Sequence, residues 1–215
     1  MKHFHYYKYR HELKCLIHNL LYCPQAIFSS QVNCKGAWLN NVHFHLASTS
    51  HVDIRNCIIR DSQILMLNEG CSLRLGNGCR VKNVRFYCED KNSSIESLTK
   101  LTIGGGEIAS TEGCNIKIGN DCMFSNDIEI RNGDSHSIVS EDDHNHRINP
   151  AKDIIIGNHV WLTAHVRILK GSIIPDNCII ANSAIVSHPL EKKNSIYGGN
   201  PIKLLKQDIY WKRER

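Results

Sequence analysis

No run of apolar residues in this 215-residue sequence approaches the roughly 20 needed to span a bilayer. The best early stretch, residues 16–22, is broken by His18 and Asn19 and precedes no convincing cleavage site, which argues against a signal peptide. CxxC pairs are missing, so the ten cysteines do not read as a structural zinc site. A secreted disulfide framework would need an oxidising compartment. They are instead expected to be reduced, mostly buried small residues of a cytoplasmic protein. A strong charge imbalance is missing too. The net charge of +5 is mild and does not suggest a nucleic-acid binder. Positive charge gathers at the ends, with Lys2, Lys8, Arg10 and Lys14 at the start and Lys212, Arg213 and Arg215 at the finish. Solvated ends are the plain reading. Attraction to an anionic glycan, a coenzyme or a membrane surface is the sharper one.

What the sequence does have is a count of six. Ile156, Leu162, Ile168, Ile174, Ile180 and Val186 are aliphatic at six-residue spacing, and the fifth positions Val160, Val166, Ser172, Cys178 and Ala184 are small or β-branched. The same register leads from Ile118, Phe124 and Ile130, from Leu75 and Val81, and more weakly from Val52, Ile58 and Ile64. "EGCSLRLGNGC" (69–79) echoes "EGCNIKIGNDC" (112–122) at an offset of 43, read as two turns of 18 plus an insertion of seven. Period six fits neither an amphipathic helix nor an alternating sheet. It predicts a triangular coil with three short faces per turn, one aliphatic side chain inward per face and a small residue near each corner. Cys79, Cys122 and Cys178 fall in the small slot. Ile155, Leu169, Ile173 and Ile179 are expected to face outward.

The count stops after Ile130 and restarts at Ile156. Residues 132–152 are polar and hold Asp134, His136, His144 and His146. They cannot build core, so they predict a loop leaving a corner, where function concentrates. His144 and His146 read as solvated.

These hexads resemble the hexapeptide repeats of left-handed parallel β-helix acyltransferases, over roughly residues 50–205. "GDSHSI" followed by "INPAKDIIIGNHVWL" is most similar to the sugar O-acetyltransferases that act on capsular or sialic-acid polysaccharides. The resemblance implies an all-β chain: an N-terminal helix or loop cap (1–45), a left-handed β-helix (46–197) and a short basic C-terminal helix (198–215). That helix is expected from Ile202, Leu205 and Ile209 after Pro201. It implies acetyl-CoA as co-substrate, no metal, an anionic carbohydrate acceptor and a homotrimer with coenzyme between neighbours. By the same resemblance His136 is the general base and Trp161 lines the cleft. An imidazole with an ordinary pKa near 6.5 suits removal of a hydroxyl proton during attack. Asp134 or another loop acid is suited to orient the ring, and a backbone N–H or the Trp161 indole to stabilise the oxyanion. Ala164, Asn182 and Ser187 correspond to coenzyme-arm slots, and Lys203 and Lys206 of "GNPIKLLK" to phosphate contacts. His188 and Asn182 depart from the usual residue types.

Three alternatives stand beside this reading: acetylation of a small amino sugar or antibiotic, a γ-carbonic-anhydrase-like zinc protein using His136, His159 and His165, and a non-catalytic scaffold. The spacing of His159 and His165 puts them on different faces of one coil, which speaks against a shared metal.

Overall fold

Each six-residue segment becomes one flat face and one corner, and three make a coil. The computed structural model describes residues 2–214, with side chains from residue 10, and stacks seven coils. The first faces form one parallel sheet: β1 (Val32–Asn33), β3 (His51–Ile54), β5 (Ser72–Leu75), β8 (Ser94–Ser97), β11 (Asn115–Ile118), β14 (Ile154–Ile156) and β17 (Ile173–Ile174). The second faces carry β6 (Arg80–Lys82), β9 (Thr102–Ile103), β12 (Met123–Phe124), β15 (Trp161–Leu162) and β18 (Ile179–Ile180). The third carry β7 (Val84–Cys88), β10 (Gly106–Ser110), β13 (Ile128–Arg131), β16 (Arg167–Leu169) and β19 (Ile185–Val186). In the first two coils β2 (Trp38–Leu46) and β4 (Ile58–Met66) run through both of these faces, bent at Asn41 and Asp61. The chain is a β-solenoid, as the resemblance implied.

The expected columns form the core. Ile156, Leu162, Ile168, Ile174, Ile180 and Val186 are buried, as are all five small fifth-position residues. Cys57, Cys79, Leu101, Cys122, Val160 and Cys178 stack as one inner-corner column. All ten cysteines are free thiols and eight are buried. Burial pushes the Cys122 thiol up to about 12, as expected of a packing residue.

Two readings of the early coils need correction. Ile58 points outward and Ile59 takes the inward slot. The 43-residue echo holds no single insertion: Leu73 pairs with Ile95 and Ile95 with Ile116, so two long coils of 22 and 21 residues supply it. The added residues lie between a third face and the next first face, where Phe86 and Ser97 are 11 apart against 6 for Ile168 and Ile174, while the corners at Asn41, Asp61 and Asn83, with φ between 50° and 53°, are tight ones. Asn and Asp tolerate this left-handed backbone better than other side chains.

The ends differ from expectation as well. Helix α1 (Lys2–Tyr22) and the short α2 (Pro24–Phe28) precede the first coil, which already begins at Val32, inside the stretch where no hexads are readable. Among the described residues no C-terminal helix forms. The last second-face strand, β20 (Ile196–Gly198), instead pairs antiparallel with β21 (Lys203–Lys206), which covers its open edge. The tail then runs back along the corner between first and second faces. Ile209 N–H donates to Asn194 O at 2.9 Å, and Trp211 is buried against His159 with ring centroids 3.9 Å apart. Arg213 donates to Asp121 Oδ1 at 2.9 Å and also to Thr102, Lys100 and Cys122. Arg213 is therefore a strap rather than a solvated end; Arg215 and the side chains of Lys2 and Lys8 lie outside the described residues.

Candidate active site

The polar loop leaves the solenoid at the corner between a third face and the next first face. Paired residues across it, Ile116 and Ile154, are 38 apart in sequence, against 18 for Ile155 and Ile173 in the next coil. Buried Asn132 anchors its exit, donating to Ser110 Oγ and accepting from the Thr111 N–H, both at 2.9 Å. Lys152 N–H donates to Asn132 O at 3.0 Å and closes the neck. Within the loop, Val139 and Arg147 form an antiparallel bridge, and Ile148 N–H donates to Ile138 O at 2.9 Å.

Asn149 organises what lies between. Its Oδ1 accepts from Ile138 N–H at 2.7 Å and Arg147 Nε at 3.2 Å. Its Nδ2 donates to Asp134 Oδ2 at 2.8 Å and to His136 O at 2.9 Å. Lys170, from the corner of the following coil, donates to Asp134 Oδ2 and to Asn149 O. On the other side Arg147 Nη2 donates to Glu112 Oε1 at 2.5 Å, and Ala151 N–H to Glu112 Oε2 at 3.0 Å. The Lys170 ammonium, aided by Asn149, holds the Asp134 carboxyl below its ordinary range against a smaller opposing effect of burial. Arg147 and then the Ala151 N–H do the same for Glu112.

His136 rides on this frame. Its N–H donates to Asp134 O at 2.8 Å and its carbonyl accepts from Asn149, so both sides of the peptide are fixed while the side chain is exposed. Among the described residues no hydrogen bond joins the Asp134 carboxylate to the imidazole. Asp134 therefore meets His136 through the backbone and through Asn149, and its carboxylate does not touch the ring that it is expected to orient. His144 and His146 are exposed on the outer part of the loop.

The remaining candidates spread over the prism. Trp161 stands on the second face, half-buried beside Trp211 at 5.9 Å between ring centroids. It makes no contact with His136 among those the described residues form, because the loop departs from a different corner. Ala164 and Asn182 stack in successive coils at the corner between second and third faces, where Ser183 N–H donates to Ala164 O at 3.1 Å. Lys203 pairs with Gly198 near that corner and Lys206 with Ile196; both are exposed. Ser187, which follows β19, lies beyond the third face and does not join this group. His159, His165 and His136 occupy three different corners. His159 lies 2.9 Å from Asp121 Oδ2 and 3.0 Å from Trp211 O, and His165 3.5 Å from Asp127 Oδ2.

Sequence reasoning missed the third-face groove. A cavity of about 600 Å³ is lined there by Glu107, Asp127, Glu129, His165 and Arg167 among others. Arg131 connects it to the loop, bonding Glu107 Oε1 at 3.2 Å and Ser135 Oγ at 2.8 Å.

No protein-family profile matches the chain. A polysialic acid O-acetyltransferase of Neisseria meningitidis is 38% identical over 160 residues, covering 74% of this chain and 73% of that one. The chain belongs to the polysialic acid O-acetyltransferase family. It is an O-acetyltransferase with a β-helix fold. The crystal structure of the polysialic acid O-acetyltransferase OatWY superposes with a TM-score of 0.60 at 31% identity, over 83% of this chain and 91% of that one. That of the polySia-specific acetyltransferase NeuO gives 0.54 over 83% and 79%; at 22% identity it speaks for the fold alone.

Proposed function

We propose that this protein transfers an acetyl group from acetyl-CoA to hydroxyls of polysialic acid, with His136 as general base. The observation that carries the reading is the clamped loop. An exposed imidazole sits on a peptide fixed from both sides, in a chain of a family named for that transfer. The imidazole takes the proton of the acceptor hydroxyl as its oxygen bonds to the thioester carbonyl carbon. Collapse of the tetrahedral species breaks the carbon–sulfur bond, and the coenzyme thiolate leaves with the proton from the imidazolium. Fixing the peptide keeps that nitrogen placed without reorganisation at the moment of attack. Lys203 and Lys206 then meet the coenzyme phosphates, and Ala164 and Asn182 the pantetheine arm.

One chain holds His136 and Trp161 on different sides of the prism, so a site using both needs two chains. Exposed Ile155 and Ile173 on the first face favour burial against a neighbour. A homotrimer that pairs His136 of one copy with the coenzyme residues of the next satisfies both. The small-molecule and zinc alternatives have no comparable support, since the relatives named above are polysaccharide enzymes.

The test offers purified protein, acetyl-CoA and polysialic acid, with neutral glycans and amino sugars as controls. Polysialic acid should be the acetylated acceptor, and His136→Ala should lower turnover by about 10²–10⁴-fold with coenzyme affinity nearly kept. Acetylation of the neutral controls alone would remove the acceptor assignment. Retention of more than about a tenth of turnover in the variant would remove His136 as base.

A further inference from the structure

Helix α1 turns its apolar stripe away from the solenoid. The residues it faces inward are Cys15, His18 and Asn19, and they serve the open edge of the first coil. Asn19 Nδ2 donates to Ala37 O at 2.9 Å while its Oδ1 accepts from Leu39 N–H at 3.0 Å. His18 Nε2 lies 3.0 Å from Leu39 O. An edge of unpaired backbone needs polar partners, which explains why the polar side faces in. The apolar side consequently faces out: Leu13, Leu16, Ile17 and Leu20, spaced as one helical stripe, are 41–52% exposed. Leu21, Tyr22 and, on α2, Phe28 are more exposed still, at 72%, 60% and 79%. Apolar surface gathered in this way marks an interaction site.

Charge selects the occupant. The α1 sequence carries Lys2, Lys8, Arg10 and Lys14 against Glu12 as its one acidic residue. A second copy of the helix would bring the same positive charge against itself, whereas an anionic lipid surface attracts it. We infer that the α1–α2 end of the solenoid is a docking surface for an anionic bilayer, with α1 lying in the headgroup region, apolar stripe down. None of the helices is long and apolar enough among the described residues to cross a membrane, so the helix lies on the bilayer rather than through it. The loop with His136 leaves between the fifth and sixth coils, roughly 20 Å along the stack at the usual strand spacing. Docking at the first coil leaves it free to meet a polymer.

Sedimentation with vesicles tests this. The full chain should bind vesicles of phosphatidylglycerol and phosphatidylethanolamine, and bind phosphatidylcholine vesicles roughly tenfold more weakly, with the difference shrinking in high salt. The triple variant Leu13→Gln/Ile17→Gln/Leu20→Gln should lose roughly tenfold or more of the binding. Its transfer to free polymer should be unchanged, which also certifies folding. Lys8→Glu/Lys14→Glu should lose binding to the anionic vesicles only. Absence of wild-type binding to anionic vesicles, or equal binding by the triple variant, overturns the inference. So does a drop in molar mass by light scattering in the triple variant when the wild type ignores vesicles, since that assigns the stripe to a second copy.

Discussion

The coils before the loop and those after it bury the same columns with different lengths of chain. Cross-coil partners are 20 to 22 residues apart in the early part, as in Val32–Val52 and Leu73–Ile95, and 18 apart in the late part, as in Trp161–Ile179. Inward side chains match throughout: Ile59, Val81 and Ile103 stack in line with Leu162 and Ile180. The early coils spend their extra residues mostly on longer third and first faces: β7 and β8 have five and four residues where β16 and β17 have three and two. Core packing therefore does not depend on strict hexads; it needs only that each corner return the chain in register. The loop is a separate case, a corner enlarged until paired Ile116 and Ile154 stand 38 residues apart, and it carries the residues proposed as the site.

If that division is right, stability belongs to the columns and activity to the corner. Ile168 is fully buried between Ile130 and Val186 on the third face. Ile168→Ala should cost about 2–5 kcal/mol, read as a lower urea midpoint, because it removes buried methyl groups and leaves a cavity. Turnover of the folded fraction should stay near wild type. A large loss of turnover with unchanged stability would break the division.

The opposite pattern is expected at Asn149. Asn149→Ala removes the donors and acceptor that hold Asp134, His136, Ile138 and Arg147 together. Catalytic geometry displaced by about 1 Å can cost roughly 10²-fold, so kcat should fall by one to two orders of magnitude. The melting temperature should move less than in Ile168→Ala, because loop 133–152 adds nothing to the columns. Equal effects on both readouts would mean that loop and coil unfold as one.

The site was less legible in the sequence than the fold, for a reason that the same comparison supplies. Late hexads show at once because six residues make one face. In the early coils inward Ile54, Ile59 and Ile64 are five apart, so a count of six from Val52 lands on outward Ile58. His136 could be singled out in the sequence because it sits in the break. Asn149, Lys170 and Glu112 could not, since Lys170 and Glu112 reach the loop from neighbouring coils, 36 and 35 residues from their partners Asp134 and Arg147. Only the stacking register brings them together. At the C-terminus, Ile202, Leu205 and Ile209 have helical spacing, yet the open edge of β20 offered backbone partners that a helix would have left unused.

Acid should loosen the corner before the columns. Asp134 is held below its ordinary range by Lys170, and Glu112 by Arg147. A depressed carboxyl contributes stability that is fully present above its unfolded pKa, about 4, and is lost as pH falls through the folded value. Protease cutting within 133–152 should therefore stay slow from neutral pH to about 5 and rise below about 4, ahead of global unfolding. Asp134→Asn should already be cut faster at neutral pH and should lose part of that acid response. A wild-type loop cut at one rate across the range would show that these pairs do not hold it.

The smallest effect is expected inside the early coils, at a buried serine in an aliphatic column. Ser97 pairs with Leu75 and Ile118 in a first-face column that is otherwise aliphatic. Its hydroxyl is buried and makes no hydrogen bond of ordinary geometry among the described residues, although the Cys79 thiol lies close to it. An unsatisfied buried hydroxyl costs about 1–3 kcal/mol, while removing it leaves only a small extra void. Ser97→Ala should therefore raise stability by up to about 1 kcal/mol, with turnover unchanged, since the loop leaves a coil further on. A matched serine placed in a late column, Ile174→Ser, should destabilise by more than Ile174→Ala, because it adds a buried hydroxyl to the lost methyl groups. Measuring both pairs asks whether early and late columns are the same kind of core. If Ser97→Ala proves destabilising, the early column relies on a polar contact at this level, and the equivalence of the two regions fails there.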